Sequence, residues 1–304
     1  MLEGRSGLHA FAFLPLMPSS ISSLWALIRL MRPHQWVKNV FVFAGLVFSQ
    51  GWGNLPLVTL VLQAFAAYCC ASSLVYILND WHDRAGDALH PVKRSRLLAS
   101  GAVTTTPALL LAAGLLVAVL VLTAGNRTLL LLLALYVALN VAYSWRLKQV
   151  AVVDVSIIAA GFMLRLLAGT VAVGIPPSRW LLLTGIFMTL FLGFCKRKAE
   201  SFQEEASQRT VMAHYPPALV DTFIATTMTA TLTTYSLFAT SAEAQLQHSE
   251  RLIYTVPVVV FALLRYTYQV HRGRGEDVAR DLLRDAWLLG AGLLWLLIFL
   301  SHRF

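Results

Sequence analysis

Four polar residues follow a long apolar stretch at a spacing that suits metal and phosphate chemistry. They are Asn79, Asp80, Asp83 and Asp87, in the pattern N-D-x-x-D-x-x-x-D. Each helical residue turns about 100°, so Asp80, Asp83 and Asp87 would share one helix face at a membrane boundary. Three close carboxylates repel one another unless a cation neutralises them. Because Mg²⁺ often bridges one or two carboxylates to substrate phosphates, the motif predicts a Mg²⁺-diphosphate site.

The alternative interpretation of this motif is a hydrated loop whose acids pair with neighbouring bases. Lys93, Arg94 and Arg96 follow shortly after the last acid. These bases could bind phosphates that the metal does not neutralise, with arginine as a two-pronged donor. They could instead be basic anchors on the cytoplasmic side that contact lipid headgroups. Their closeness to the acids favours phosphate binding.

Two charged residues, Asp154 and Arg165, lie inside an apolar run. A charge within a membrane is costly and usually faces the protein interior or a wet cavity, so both positions predict function. The alternative is that each one pairs with another helix purely for packing. About 16 Å of helix rise separates them, which argues against a direct link. Tyr143 and Lys148 surround the short connection before this run.

Polar residues also mark the ends of other apolar runs. Lys38 and Asn39 lie near the start of the first run, which makes that run the weakest candidate span. Lys196, Arg197 and Glu200 end the sixth run, where Lys196 and Glu200 are four residues apart on one helix face. The alternative for these bases is a belt of side chains that extend to the membrane surface.

The composition identifies the elements that must position these residues. The 304-residue chain is 58% hydrophobic and only 13% charged, whereas soluble domains carry about 25% charged residues. We predict an all-α integral membrane protein with about nine transmembrane helices. It forms a single domain, 1–304, in which residues 1–20 are a candidate leader or disordered segment. The predicted spans are 36–52, 55–78, 107–125, 128–145, 151–173, 180–195, 217–240, 252–270 and 283–301.

The distribution of basic residues predicts the orientation. If the N-terminus is cytoplasmic, only Arg127, Arg179, Arg251 and Arg303 of the 24 Lys and Arg residues fall on the opposite side, and Arg165 lies within a span. This is a strong positive-inside pattern. It predicts an inner (plasma) membrane protein whose active site is cytoplasmic. The net charge of +9 then reflects topology and contact with membrane lipids, and needs no nucleic acid.

Several other kinds of site are excluded by the sequence. Cys69, Cys70 and Cys195 have neither metal-ligand spacing nor the pattern of a disulfide framework. The chain also has no H-E-x-x-H motif, no Walker-type glycine loop and no nucleophile elbow.

Four local motifs together resemble the UbiA-type membrane prenyltransferase superfamily over roughly residues 29–285. Within it the chain resembles the decaprenyl-phosphate phosphoribosyltransferases. The motifs are R-P-x-Q-W-x-K-N at 32–39, N-D-x-x-D-x-x-x-D with H-P-x-K-R-x-R at 79–96, Y-S-x-x-L-K at 143–148 and K-R-x-A-E at 196–200.

The resemblance implies a UbiA-type bundle of nine helices around a cytoplasm-facing cavity. It implies Mg²⁺-dependent transfer of 5-phosphoribose from phosphoribosyl diphosphate to a polyprenyl phosphate, in a chain that could be a homo-oligomer. Asn79, Asp80 and Asp83 are the candidate catalytic residues, and Asp80, Asp83 and Asp87 the candidate metal ligands. The candidate substrate-binding residues are Lys38, Asn39, Asp87, Lys93, Arg94, Arg96, Tyr143, Lys148, Asp154, Arg165, Lys196, Arg197 and Glu200.

Two departures from the family pattern bear on the substrate. Quinone-pathway members usually carry a second D-x-x-x-D-type motif after the sixth span, where this chain has Lys196, Arg197 and Glu200. One acid cluster faced by bases suits a donor with an additional phosphate. Leu97 also stands where relatives commonly have proline. The alternatives are an aromatic or quinone-pathway prenyltransferase that uses a polyprenyl diphosphate and, in another class, a membrane transporter or lipid-binding protein.

Overall fold

The structure is a computed structural model that describes residues 20–91, 93–202, 210–242, 244, 250–275, 281 and 284–301. Within these ranges the chain consists of helices and connections and contains no β-strand. The predicted all-α class is therefore confirmed. The candidate leader at 1–20 lies outside the described residues, except for Ser20 at the start of the first helix.

Ten α-helices form the described fold. Six helical segments are long and apolar enough to cross a membrane, at Leu55–Leu89, Thr105–Leu122, Arg127–Trp145, Val153–Val173, Arg179–Glu200 and Glu250–His271. The α-helices are α1 (Ser20–Leu30), α2 (Ala44–Phe48), α3 (Leu55–Leu89), α4 (Thr105–Leu122), α5 (Arg127–Trp145), α6 (Val153–Ala168), α7 (Arg179–Glu200), α8 (Pro217–Thr240), α9 (Thr255–His271) and α10 (Ala286–Leu300).

The other three predicted spans have different characters. The run at 36–52 is broken into a 3₁₀ helix, Pro33–Phe43, followed by the five-residue α2. Helix α8 has the predicted bounds of 217–240, but threonines lower its hydropathy. Their hydroxyls donate to carbonyls of the preceding turn, as Thr231 does to Thr227 O at 2.7 Å. Helix α10 is strongly apolar but has only 15 residues.

The broken first segment packs directly on the backbone of α6. A Cβ atom at Gly169 would lie 1.6 Å from the carbonyl oxygen of Val42, and one at Gly45 would lie 2.2 Å from Gly169 O. Only glycine permits this approach at both positions. It brings the 3₁₀ helix, which carries Lys38 and Asn39, against the helix that carries Arg165.

Polar contacts pair the helix ends at both ends of the bundle. At one end, Gln63 near the start of α3 donates to Leu122 O at the end of α4. Asn126 before α5 donates to Ala172 O after α6 at the same end. The polar motifs lie at the opposite end, where α3, α5 and α7 finish and α4, α6 and α8 begin.

Candidate active site

Helix α3 carries the whole acid motif beyond the apolar run that precedes it. Asn54 caps its first turn by accepting from Leu57 N, and its 35 residues extend to Leu89. Asn79, Asp80, Asp83 and Asp87 thus lie on a regular helix, within an arc of about 100°. The predicted span 55–78 covers only the apolar part of this helix, because the last eleven residues, 79–89, are mostly polar.

Two arginines pair with the acids on this face. Arg32 Nη2 donates to both carboxylate oxygens of Asp80, at 2.7 and 2.9 Å. Arg96 Nη1 lies 2.7 Å from Asp87 Oδ2 and 3.4 Å from Asp80 Oδ1. Both aspartates are buried, at 5% and 6% exposure, whereas both arginines remain partly accessible. The arginines therefore neutralise two of the three acids when no cation is bound.

Arg32 reaches Asp80 from an unusual backbone conformation. Its φ of 53° and ψ of 57° are left-handed, which is uncommon for a residue other than glycine. The guanidinium also lies 5.2 Å above the ring of Tyr76, one turn before Asp80 on α3. The turn between α1 and the 3₁₀ helix therefore directs this charge onto the acid face.

Two side chains of the motif, Asn79 and Asp83, are not engaged by the arginines. Asn79 and Asp83 are half-buried, and neither side chain has a hydrogen-bond or ion-pair partner within the described chain. In those ranges no three acidic, histidine or cysteine side chains are placed so that together they could hold a metal ion. Mg²⁺ needs only one or two carboxylates when substrate phosphates complete its octahedron. Asp83 could supply one such carboxylate as the chain stands, whereas Asp80 and Asp87 could do so only if Arg32 and Arg96 move away.

A second buried polar cluster joins α6 to the end of α7. Asp154 is fully buried, and its Oδ2 lies 3.0 Å from Nε of Arg197, itself 1% exposed. The N–H does not point along this line, so the contact is an ion pair and not a hydrogen bond. Arg197 also forms a close ion pair with Glu200, and Lys196 lies 4.0 Å from the same carboxylate. Tyr143 is half-buried near the end of α5.

Tyr215 completes this cluster from the connection between α7 and α8. Its hydroxyl donates to Asp154 Oδ1 and accepts from Val152 N, both at 2.6 Å. Burial, reinforced by the bond to Asp154, raises the pKa of Tyr215. The phenol therefore stays protonated at neutral pH and acts as a donor to the carboxylate.

Arg165 forms a third network, deeper in the bundle. Its guanidinium donates to Asn39 Oδ1 at 2.7 Å, Gly161 O at 2.8 Å and Tyr136 Oη at 2.9 Å. Asn39 donates in turn to Ser72 Oγ of α3 at 3.3 Å. Arg165 is 5% exposed and thus faces the protein interior, as its place within an apolar run predicted. The network ties the 3₁₀ helix, α3, α5 and α6 together.

The basic candidates differ in their access to solvent. Lys38, Lys93 and Arg94 are exposed, and Lys148 and Lys196 are half-buried. Lys148 lies in the turn after α5, in a short 3₁₀ helix, Leu147–Gln149. The turn begins beside the acid motif, because the rings of His82 and Trp145 are 6.4 Å apart.

The model of the UbiA prenyltransferase family matches residues 39–289. The chain belongs to this family. It is 33% identical over 285 residues to the decaprenyl-phosphate phosphoribosyltransferase of Mycolicibacterium smegmatis, covering 89% of this chain and 90% of the relative. It is 32% identical over 281 residues to the enzyme of the same name from Corynebacterium glutamicum, covering 88% and 84%.

The fold of this UbiA-family chain also matches a solved structure. A UbiA homologue from Archaeoglobus fulgidus, bound to GPP and Mg²⁺, superimposes with a TM-score of 0.67 at 19% identity. The match covers 90% of this chain and 96% of the homologue. At this identity the likeness establishes the fold.

Some residues of this UbiA-family site were not among the sequence candidates. Arg32 stands in the R-P-x-Q-W-x-K-N motif, but no local spacing links it to Asp80, 48 residues away. Tyr215 has no signal beyond its place before two prolines. Lys198, Asp221 and His271 form a further charged group, in which Asp221 lies 2.8 Å from Lys198 Nζ and 3.2 Å from His271 Nε2.

Proposed function

We infer that this chain transfers 5-phosphoribose from phosphoribosyl diphosphate to a polyprenyl phosphate of the decaprenyl type and releases diphosphate. One observation carries the inference: a single acid face on α3 is bordered by bases, with Arg32 and Arg96 in direct contact with Asp80. A phosphoribosyl donor brings a 5-phosphate in addition to its diphosphate, so it needs positive charge beyond the metal. The similarity to decaprenyl-phosphate phosphoribosyltransferases over nearly the whole chain supports the same conclusion.

The acids would hold Mg²⁺ through Asp80 and Asp83, with Asp87 as a further ligand and Asn79 orienting the set. The bound ion stabilises the diphosphate leaving group. Arg32 and Arg96, once separated from the carboxylates, are placed to neutralise donor phosphates. Lys93 and Arg94, exposed next to this face, supply further charge.

The reaction forms one bond and breaks one at the anomeric carbon of the ribose. An oxygen of the lipid phosphate attacks this carbon, and the bond to the diphosphate oxygen breaks with its electron pair on the leaving group. The nucleophile is already an anion, so no strong general base is required. This agrees with the absence of a nucleophilic triad in the sequence motifs.

The other candidate residues differ in how far their side chains are exposed to solvent. Lys38, Lys148 and Lys196 are at least partly accessible, and we propose that they bind phosphate groups. Asp154 and Arg197 are buried against each other. These two, with Arg165, Asn39, Tyr143 and Glu200, would shape the site and hold the accessible groups in place.

We also propose that the chain crosses the inner membrane nine times, with the site in a cavity that opens to the cytoplasm. The six long apolar segments would be joined by the broken segment Pro33–Phe48, by α8 and by α10. The positive-inside pattern supports this orientation, because it puts the acid motif and its neighbouring bases on the cytoplasmic side.

The function is tested by product analysis. Membranes that contain the protein are incubated with labelled phosphoribosyl diphosphate, Mg²⁺ and polyprenyl phosphates, and the lipid extract is analysed. Label should enter the lipid with wild-type protein and not with the Asp80→Asn, Asp83→Asn double variant. A parallel reaction contains a prenyl diphosphate and 4-hydroxybenzoate. Prenylated product there, with no labelled lipid in the first reaction, would overturn the phosphoribosyl assignment and favour the prenyltransferase alternative.

A further inference from the structure

Val152 has a backbone conformation that valine rarely adopts. Its φ is 68° and its ψ is −42°, and it stands directly before the first residue of α6. A positive φ in a β-branched residue is a genuine outlier, which persists only where surrounding contacts enforce it. Val152 ends the turn 146–152, which contains Lys148. The geometry of that turn therefore depends on whatever holds Val152.

Tyr215 holds it from 63 residues away. The Val152 N–H donates to the Tyr215 hydroxyl at 2.6 Å, and that hydroxyl donates to Asp154 Oδ1 at 2.6 Å. Tyr215 is 3% exposed, so water does not compete for these bonds. Asp154 is fixed on its other side by the buried Arg197 of α7. The end of the turn is therefore tied to the end of α7 by three buried side chains.

The turn lies between the acid motif of α3 and the buried cluster of Asp154, Arg197 and Tyr215. Its first part follows Trp145, whose ring is 6.4 Å from that of His82 within the acid motif. Its middle part, Leu147–Gln149, packs against the segment Thr210–His214, which leads into Tyr215. Lys148 is half-buried in this middle part and has no ion-pair partner in the described ranges of the chain. Its ammonium group is thus available to an anion.

We propose that Tyr215 is a positioning residue that fixes Lys148 for a phosphate group of the donor. The proposal rests on the proposed function, in which the donor carries more phosphate than the metal neutralises. The hydroxyl of Tyr215 acts at a distance: it holds the strained end of the turn, and the turn holds Lys148. Without the hydroxyl, Val152 relaxes and Lys148 loses its fixed position.

The test compares Tyr215→Phe with a matched control at the other end of the bundle. Tyr235 is also a buried tyrosine with two hydroxyl hydrogen bonds, to Thr255 and Trp295. Tyr215→Phe should raise the KM for phosphoribosyl diphosphate about tenfold and leave kcat within about twofold, because positioning for binding is lost. Tyr235→Phe should leave this KM unchanged. Equal KM values in the two variants would overturn the proposal.

A double variant tests whether Tyr215 acts through Lys148. Lys148→Ala should raise the donor KM to a similar extent, and Tyr215→Phe combined with Lys148→Ala should be no worse than Lys148→Ala alone. Additive effects would show that Tyr215 acts by another route, and they would reject the proposal even if Tyr215→Phe alone raised KM.

A readout without turnover separates this proposal from the proposed function. Trypsin cleaves after Arg146 and Lys148, so its rate at these two sites in detergent-solubilised protein reports on the order of the turn. Tyr215→Phe should accelerate this cleavage several-fold relative to Tyr235→Phe. If wild-type protein makes no phosphoribosyl lipid, the proposed function fails. If the cleavage rates are equal, the role of Tyr215 in holding the turn fails instead.

Discussion

Arg32 Nη2 donates to both carboxylate oxygens of Asp80, at 2.7 and 2.9 Å, across a sequence separation of 48 residues. Asp80 is buried, whereas the Arg32 side chain keeps 28% of its surface exposed. The arginine is thus the accessible partner of the pair and the one that can move away. Any cation that binds Asp80 must compete with it.

We expect Arg32→Ala to make the protein more responsive to Mg²⁺. Loss of the guanidinium leaves a buried carboxylate poorly neutralised, which should lower the free energy of unfolding by about 1–3 kcal/mol without metal. Under the proposed Mg²⁺ assignment, the ion would bind the folded site and not the unfolded chain, so it should restore much of this loss. The measurement is the Tm in detergent with and without Mg²⁺. Arg84→Ala is the control, because Arg84 is an exposed residue of α3 that donates to its own helix at Trp81 O. An equal Mg²⁺ response in both variants would count against the competition.

Asp80→Asn and Asp83→Asn should each reduce turnover by more than about 100-fold. Mutation of a residue that only hydrogen-bonds to a metal ligand typically lowers metal affinity or activity about 10–100-fold, and loss of a ligand itself should cost more. The amide keeps the shape of the side chain but removes the charge that attracts the cation. Circular dichroism and gel filtration should show folded protein in both cases. The Mg²⁺ assignment fails if both variants are fully active, or if EDTA leaves the wild-type rate unchanged. Asp87→Asn should have a smaller effect.

Arg165→Met should destabilise the fold by about 3 kcal/mol or more, because it removes hydrogen bonds of a charged group and leaves the buried Asn39 Oδ1 without its donor. Arg165→Lys should cost less, since it keeps the charge but not the three-way geometry. Arg127, exposed at the start of α5, provides a neutral control as Arg127→Met. Denaturation in detergent gives the comparison. If the Arg165 variants are as stable as the Arg127 control, the network does not hold the four segments together.

Lys93→Ala, Arg94→Ala and Lys196→Ala should each raise the KM for phosphoribosyl diphosphate. At least one should weaken this donor far more than it weakens inorganic diphosphate, because only the donor carries a 5-phosphate. Steady-state kinetics and competition by diphosphate measure the two effects. An unchanged donor KM in all three variants would mean that these bases serve membrane topology, and the prenyltransferase alternative would then lead.

Local periodicity predicted much of the fold. The run 217–240 became α8 with the same bounds, and the i, i+3, i+7 spacing of the aspartates placed them on one face of α3. Hydropathy could not show that α3 continues to Leu89, because polar residues can be as helical as apolar ones. It also could not show that the run 36–52 is a 3₁₀ helix up to Phe43 and an α-helix only over Ala44–Phe48, since hydropathy does not distinguish these two helix types.

The partners within the site were harder to predict than its members. The acids and bases were recognised by type, but their pairing depends on contacts between distant segments, such as Asp154 with Arg197 and Tyr215. The strained conformation of Val152 leaves no trace in the sequence, because valine has no preference for it. Residues that support a site through contacts between distant segments therefore cannot be identified from the sequence alone.

Helix α3 also sets how far the acids lie from the membrane, in a reaction between a lipid substrate and a water-soluble one. Asp80 and Asp87 are about 10 Å apart along its axis, with Asp80 nearer the apolar part of the helix. A lipid phosphate cannot travel far from the headgroup layer, whereas a sugar phosphate arrives from water. Because α3 is one continuous helix, it can contact the lipid phosphate at the level of the headgroups and the sugar phosphate further out, on the water side. Inserting four residues between Leu78 and Asn79 would move both aspartates about 6 Å further from the apolar part of the helix, and so away from a phosphate at the headgroup layer, without altering any charge.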